Sequence, residues 1–246
     1  NWTATLDFYD FEFKNPIISE NHQQLVDAFA GKGFDAKDQA AAKAAVAGQM
    51  YGGVNTLPYN ASTNDFSAAS VGRIASNFVN GPETLTNGVD LYVDYVTDYA
   101  NGVIQSGLEL NYVAKYDVAA YKKSGVTVAK AYECVGYFNI GNPCRSMPDL
   151  KGKGFVRYTT DAHSFYGALN YISSYEDRRS NVEVAPHTTI DATYTYSWDD
   201  SYDFSFSVYN LTNQNPPFVR NEMNYDPYAH SPLGRYFKAG FTYRMQ

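Results

Sequence analysis

The C-terminal stretch Asp199–Gln246 contains two segments in which apolar and polar residues alternate. They are Ser201–Leu211 (SYDFSFSVYNL) and Gly234–Gln246 (GRYFKAGFTYRMQ), joined by a loop rich in Pro, Asn and Tyr. Because successive side chains of a strand point to opposite faces, this alternation predicts two β-strands, each with an apolar and a polar face. Both segments are longer than a typical soluble strand and carry aromatic residues near their ends, which is typical of transmembrane barrel strands.

The same period of two recurs along most of the chain. It predicts six further strands, at Asn1–Phe13, Gly88–Tyr99, Ser106–Tyr116, Gly154–Asp161, Ser164–Tyr175 and Thr188–Trp198. The polar face of the pair 88–116 carries Asp90, Asp94, Glu109 and Lys115. Charged residues in a soluble core are costly, but they are ordinary on a wall that faces a watery or plugged lumen. The pattern therefore favours a membrane barrel over a β-sandwich.

The predicted connections alternate between long and short. The long ones fall near 14–72, 117–153, 176–186 and 212–235, and the short ones at 100–103, 162–163 and 199–201. Asn101-Gly102 is a tight hairpin signal, and Asp199-Asp200 turns the chain into its last strand pair. Outer-membrane barrels show this asymmetry, with long extracellular loops and short periplasmic turns.

The first long connection is predicted to contain two helices. Asn21–Ala30 has apolar residues at helical spacing and stops at Gly31, and Ala36–Met50 is Ala-rich, with Asp35 as N-cap and Gly52-Gly53 at its end. Tyr51–Val71 is expected to be extended or irregular. A small soluble domain is the alternative, but the position between strands favours a helix-bearing outer loop.

Composition agrees with a barrel wall. Aromatic residues make up 16% of the 246 residues, including 23 Tyr, whereas charged residues are only 18%, below the quarter or so of a soluble domain. Tyrosine suits surfaces that are apolar on the flank and wet at the tip. The net charge of -7 argues against a nucleic-acid partner. The sequence contains no apolar run long enough for a helical membrane span.

Several motifs of the C-terminal stretch resemble the end of TonB-dependent outer-membrane receptors. They are Val208-Tyr209-Asn210-Leu211-Thr212-Asn213, Pro216-Pro217-Phe218, Asn224-Tyr225-Asp226-Pro227-Tyr228 and Pro232-Leu233-Gly234-Arg235-Tyr236-Phe237. Thr86–Leu91 is similar to a recurring strand start of that family, and Cys134-Val135-Gly136-Tyr137 with Cys144 is similar to its disulfide loop. One departure is the ending Arg244-Met245-Gln246, where family members usually finish on an aromatic residue.

The resemblance implies the fold and the partners. The fold would be all-β, with the chain forming about eight C-terminal strands of an antiparallel transmembrane β-barrel of about 22 strands. Because Asn1-Trp2-Thr3 begins inside a strand, we expect a fragment, a processed product or part of a longer chain. The partners would be outer-membrane lipid, the receptor's own plug and earlier strands, an imported ligand, and the TonB energising complex through an N-terminal region.

The two cysteines, ten positions apart in a loop, suggest a disulfide. Two free thiols or half of a metal site are the alternatives, but no His or further Cys lies nearby in sequence, and an outer-surface location would be oxidising. The spacing is not CxxC, so a redox role is not expected.

No catalytic or cofactor motif is present in the sequence: it has no HExxH, GxSxG or Walker pattern. We therefore expect no enzyme activity, no cofactor and no metal. The four histidines, at positions 22, 163, 187 and 230, are interpreted as exposed loop residues. The loop 212–235 gathers rings and charges that could grip a ligand by stacking and hydrogen bonds; these are Phe218, Arg220, Tyr225, Asp226 and Tyr228.

The leading hypothesis is an outer-membrane active transporter for a large nutrient such as a siderophore or an oligosaccharide. Two alternatives remain, a secreted β-sandwich lectin or adhesin and a passive porin. Detergent dependence separates the first alternative from a barrel, and an N-terminal plug separates the transporter from the porin.

Overall fold

The structure is a computed structural model that describes residues 1–52, 71–139, 144–178, 180–199 and 201–245. Its elements follow in chain order: β1 Trp2–Phe13, β2 Ile17–Ser19, α1 His22–Ala30, α2 Ala36–Val46, a 3-10 turn Ala47–Gln49, β3 Met50–Gly52, β4 Val71–Ile74, β5 Phe78–Asn80, β6 Thr84–Tyr99, β7 Gly102–Val118, β8 Tyr121–Lys123, β9 Val126–Ala129, β10 Tyr132–Glu133, β11 Tyr137–Asn139, β12 Arg145–Met147, β13 Leu150–Thr159, β14 His163–Ile172, β15 Tyr175–Asp177, β16 Val182–Val184, β17 His187–Ser197, β18 Tyr202–Tyr209 and β19 Tyr236–Tyr243.

One large antiparallel sheet organises these elements. Its eight long strands lie in the order β1-β6-β7-β13-β14-β17-β18-β19, and the short β10 pairs with the end of β7. The predicted all-β class and its eight strands are confirmed. The strands β6, β7 and β13 each begin four residues earlier than predicted, at Thr84, Gly102 and Leu150. At β13 the glycine Gly152 supplies no apolar side chain to mark the alternation. The predicted connection 117–153 is shorter for the same reason.

One face of the sheet is apolar across all eight strands. Leu6 pairs with Leu91 and Leu91 with Leu110, while at the far edge Tyr194 pairs with Phe206 and Phe206 with Ala239. Many large side chains on this face are exposed in the part of the chain that the structure describes. Phe8, for example, is 75% exposed. An exposed apolar surface of this extent needs a covering, and lipid supplies one for barrel walls.

The opposite face is polar and hydrogen-bonded across strands. The side-chain amides of Asn111 and Gln105 donate to Asp90 and Asp94 at 2.6 and 2.9 Å. The amide of Asn170 donates to Asp191 at 2.9 Å, in the second half of the sheet. The face assignment predicted for Asp90, Asp94 and Glu109 is thus confirmed by the register.

A β-bulge corrects the assignment of Lys115. Gly88 pairs with Val113 whereas Asn87 pairs with Lys115, so Ala114 is an extra residue in β7. A bulge shifts all following side chains by one position. Lys115 therefore shares the face of Asn87 and Val89, opposite to the prediction, and forms an ion pair with Asp117 at 3.0 Å.

The connections of the large sheet are long at one end and short at the other. Residues 100–101, 160–162 and 198–201 form the short turns, and 14–83, 119–149, 173–186 and 210–235 form the long connections. Because every strand of this sheet runs antiparallel to its neighbour, all long connections emerge at the same end. This confirms the predicted asymmetry.

The helix-bearing connection folds around its own small core. Asn21 caps α1 by accepting from the Gln24 amide at 3.0 Å, and the left-handed φ of Gly31 ends the helix as predicted. Asp35 precedes α2, but its side chain makes no cap hydrogen bond. The predicted end at Gly52-Gly53 is wrong, because α2 ends at Val46 and the buried Met50 starts β3, which pairs with β4. Most of the predicted irregular segment Tyr51–Val71 lies outside the described residues.

Within the described residues, no helix has the length and apolar character needed to cross a membrane.

Candidate functional site

The four long connections pack into two clusters at the same end of the sheet. In the first, Leu25, Phe29, Val46 and Met50 of connection 14–83 pack against Val128 of connection 119–149. In the second, three connections meet through Phe138, Tyr175, Val184 and Val219. This end of the sheet therefore carries a folded layer of loops, and surfaces for a ligand are found within it.

The structure brings some of the predicted ligand-binding residues together at the surface. Phe218 and Tyr225 face each other across a β-bridge. Phe218 is 65% exposed and Tyr228 is 51% exposed. Arg220 and Tyr228 line one open cleft, together with Phe138. These four predicted residues lie where a ligand could reach them.

Asp226 lies elsewhere, buried beneath the same loop. Its carboxylate accepts from the Tyr175 hydroxyl at 2.8 Å and from the Tyr228 amide at 2.9 Å. Burial, together with Asp226, raises the pKa of Tyr175, so the hydroxyl keeps its proton and remains a donor. Asp226 therefore anchors connection 210–235 to β15.

His230 belongs to the same buried group, so its predicted exposure is wrong. Its Nε2 lies 3.0 Å from the Tyr175 hydroxyl oxygen, and its ring packs edge-on against His187 at 5.0 Å. Since Tyr175 donates its hydrogen to Asp226, His230 Nε2 donates to Tyr175, and the buried Nδ1 has no partner in the described residues. Burial, with help from His187 and Lys151, lowers the pKa of His230 to about 4.

Two arginines stack on aromatic rings in this layer. The guanidinium of Arg145 lies 4.6 Å from the Tyr228 ring centroid, and that of Arg178 lies 3.5 Å from the Tyr137 ring centroid. Such cation–π contacts hold one connection against another. Sequence analysis did not single out either arginine, because each contact joins residues that are distant in the sequence.

A cavity of about 330 Å³ lies under the first cluster of loops. Its floor comes from the inner face of the sheet through Phe13, Thr84, Tyr116 and Val118, and its roof comes from the connections 14–83 and 119–149. The floor is aromatic because the polarity of β1 changes along its length. From Tyr9 onward the rings lie on the inner face, where Tyr9 and Phe11 stack at 5.8 Å.

The roof of this cavity is held by Glu20. Its carboxylate accepts from Tyr121 at 2.9 Å, Lys123 at 3.1 Å and Gln49 at 2.5 Å, and also from Asn77. Burial raises the pKa of Glu20, but these hydrogen bonds outweigh it and hold the pKa below its usual value. Burial and Glu20 raise the pKa of Tyr121 to about 12. Glu20 is thus an ionised acceptor surrounded by donors.

The predicted disulfide between Cys134 and Cys144 is formed. This excludes the alternatives of two free thiols and half of a metal site. Cys134 is fully buried, and Cys144 lines the cavity. Among the residues that the structure describes, no group of three or more His, Cys, Asp or Glu side chains could hold a metal ion.

The sequence-based prediction of ligand-binding residues did not include the cavity residues, although the pattern of β1 indicates one of them. In Asp10-Phe11-Glu12-Phe13 the aromatic residues leave the outward phase set by Trp2, Ala4, Leu6 and Phe8. Rings that change face place large apolar side chains on the otherwise polar face of the sheet, where they can pack against the loops or line a site. The roof residues Tyr121 and Tyr132 carried no such signal.

Comparison with known proteins identifies the fold. No family model matches the sequence, and no curated protein matches it. Among solved structures, the ferric enterobactin receptor PfeA from Pseudomonas aeruginosa, in complex with enterobactin, matches with a TM-score of 0.54 and 11% identity over 98% of this chain and 29% of the receptor. The siderophore receptor PirA from Acinetobacter baumannii matches with a TM-score of 0.51 and 15% identity over 98% of this chain and 29% of that receptor.

These matches show that the chain has the fold of one part of such receptors. It spans less than a third of the length of either one. The fold implied by the resemblance to TonB-dependent receptors is therefore confirmed by structure, while sequence identity is low.

Proposed function

We propose that this chain is the C-terminal part of a TonB-dependent outer-membrane transporter that imports a large nutrient. The observation that carries the proposal is the two-faced sheet of eight strands with all long connections at one end. Its apolar face fits lipid, its polar face fits a plugged lumen, and its loop layer fits capture of a ligand outside the cell.

The edges of the sheet support a longer wall. Within the described residues, β1 and β19 each pair with one strand of the large sheet. In lipid, the unpaired backbone groups of an open edge cost several kcal/mol each, so an outer-membrane wall must close. Earlier strands of the same protein would complete the barrel, and its plug would fill the lumen against residues such as Asp90 and Lys153.

Binding and gating are the chemistry that such a protein performs. The outer membrane has no nucleotide supply or potential of its own, so energy would come from the inner membrane through the TonB complex. The Pseudomonas aeruginosa receptor was solved in complex with enterobactin, which supports a ligand-binding role for the protein that contains this chain. The loop layer, with Phe218, Arg220 and Tyr228 at its surface, would make the first contact.

Uptake by whole cells tests this function. Cells that carry the full-length protein should accumulate a labelled ligand, from a panel of ferric siderophores and oligosaccharides, and should stop when the energising protein is deleted. Uptake that persists without the energising protein would identify a passive porin. Purification as a monodisperse protein without detergent would identify a soluble sandwich instead.

A further inference from the structure

We propose that the cavity beneath the helix-bearing connection binds an uncharged, hydroxyl-bearing ring of the imported nutrient, such as one sugar residue of an oligosaccharide. This inference rests on the proposed transport function and names the class of its substrate. The cavity, about 330 Å³ in volume, is within the range of sites for small molecules.

The walls of the cavity are suited to a ring. Four aromatic side chains line it, two from the sheet and two from the loops above it: Phe13, Tyr116, Tyr121 and Tyr132. Aromatic faces pack against flat apolar surfaces and leave the edge of a ligand free for hydrogen bonds. Phe13 is 48% exposed, so its ring is available for contact.

Apart from Glu20, the polar groups that line the cavity are neutral, among them Asn21, Gln24, Tyr116 and Tyr132. The Gln24 side chain pairs with the Tyr132 hydroxyl and Asn21 caps α1, so a ligand would join an existing hydrogen-bond network. Burial raises the pKa of Tyr132 to about 12, so that its hydroxyl keeps its proton. Neutral donors and acceptors of this kind match hydroxyl groups, which can both donate and accept.

The charge around the cavity disfavours an anion. Among the described residues that line the cavity, Glu20 is the one that carries a charge, and it is ionised. The cation that pairs with Glu20, Lys123, is held by Glu20 at 3.1 Å and by the side-chain oxygen of Gln49. An anionic group such as a ferric catecholate would lose its hydration here without gaining a free cation. Arg145 and Arg178 stack on Tyr228 and Tyr137, and Arg220 lines a different cleft; none of the three is among the described residues that line this cavity.

Two phenylalanines on the same strand provide a matched test. Phe11 and Phe13 lie on the inner face of β1 with ring centroids 6.2 Å apart, and only Phe13 of the two lines the cavity. Phe11 is 53% exposed, close to the value for Phe13. Phe13→Ala and Phe11→Ala therefore remove the same ring from similar surroundings. A loss of ligand binding that is confined to Phe13→Ala would show that the cavity takes part in binding, and could not be explained by a less stable strand.

The experiment measures binding by calorimetry with the full-length protein in a detergent that has no sugar headgroup. The probes are neutral hexasaccharides (maltohexaose and cellohexaose) and ferric enterobactin as the anion. We expect a hexasaccharide to bind, Phe13→Ala to weaken it about tenfold, and Phe11→Ala to change it less than twofold.

Three results would overturn the proposal in distinguishable ways. Binding of ferric enterobactin that depends on Phe13, without hexasaccharide binding, would show that the cavity takes an anion and not an uncharged ring. It would not contradict the proposed transport function. Equal effects of the two Phe substitutions would remove the cavity from ligand binding. Absence of hexasaccharide binding in a protein that shows energy-dependent uptake of another nutrient would reject the sugar, and not the transporter.

Discussion

Two buried carboxylates, Glu20 and Asp226, hold the long connections together at the level of single side chains. Glu20 accepts hydrogen bonds from four residues in three separate segments, and Asp226 joins connection 210–235 to Tyr175. A buried charge with this many donors is strongly destabilising to remove, because the donors lose their partner as well. The shape of the loop layer therefore depends on a few polar residues.

Glu20→Gln tests this dependence. The change removes the charge that Lys123 pairs with, and we expect a loss of about 2–3 kcal/mol in local stability of the helix-bearing connection. Hydrogen exchange of the Leu25–Phe29 amides in the full-length protein measures it. Glu12→Gln is the control, since Glu12 pairs with Lys14 at an exposed site, and it should leave exchange unchanged. Equal exchange in the two variants would show that Glu20 is not an anchor.

Glu20 also predicts how the first loop cluster responds to acid. Its pKa is held below the usual value in the folded protein, so its stabilising effect is complete above the unfolded-state pKa and is lost as the pH falls through the lowered folded value. His230 affects stability over a higher pH range than Glu20. Its folded pKa of about 4 lies below the usual value of about 6.5, so the unfolded loop takes up a proton first.

Stability of connection 210–235 should therefore fall between about pH 6.5 and 4, by roughly 3 kcal/mol in total. Proteolysis of this loop at a series of pH values, with an acid-stable protease, measures the effect. His230→Gln keeps a donor near Tyr175 but does not titrate, so this part of the pH dependence should disappear. If the variant and the wild-type protein respond identically, His230 is not the responsible group.

The strands show what alternation in a sequence can and cannot establish. The cleanest predicted strand, Thr188–Trp198, differs from the observed β17 (His187–Ser197) by one residue at each end. Alternation was sufficient there because one face is apolar from end to end. Alternation did not predict the face of Lys115, because the bulge at Ala114 depends on pairing with β6. Helical spacing did not predict the end of α2, because the buried Met50 belongs to β3.

The candidate site was less predictable than the sheet. Phe218, Arg220 and Tyr228 could be chosen from the sequence because they are close together in one loop. The cavity combines Phe13 with Tyr116 and Tyr132, and the sequence contains no signal for contacts between residues so far apart. The prediction that His230 is exposed was wrong for the same reason, because its burial depends on contact with Tyr175.

A single strand also offers a test of the two faces. Phe206 lies on the apolar face, paired with Tyr194 and Ala239, and the adjacent Ser205 lies on the polar face. Phe206→Arg places a charge in hydrocarbon and should cost about 2–4 kcal/mol near the midplane, whereas Ser205→Arg should cost less. Urea titration of the refolded full-length protein in lipid vesicles compares them. The reverse order of stability would mean that the face assignment is wrong.

The disulfide acts on a single connection. Cys134→Ser with Cys144→Ser should cost on the order of 2–3 kcal/mol, because a small ring is opened in the unfolded chain. The large sheet is held by strand pairing, so assembly should persist while cleavage by protease increases between residues 134 and 145. Peptide mapping after limited proteolysis locates the cuts. Loss of the assembled protein from the membrane would show that the bridge is needed for folding of the whole sheet.

At the scale of the whole molecule, the separation of long and short connections would set the direction of the proposed transport. The loop layer that contains both candidate ligand surfaces lies at one end of the sheet, and the three short turns lie at the other. A transporter that captures nutrient from the medium must present the loop layer to the outside. Labelling one residue at each end of the sheet therefore tests both the insertion of the protein in the outer membrane and its orientation there.

Cysteine labelling on whole cells makes that measurement. In full-length protein lacking Cys134 and Cys144, Glu222→Cys lies in a long connection and Asp161→Cys in a short turn, and both positions are exposed. A membrane-impermeant maleimide should label Glu222→Cys in intact cells, and should label Asp161→Cys only after the outer membrane is permeabilised. Labelling of Asp161→Cys in intact cells, with Glu222→Cys protected, would contradict the assignment of the loop layer to the cell exterior.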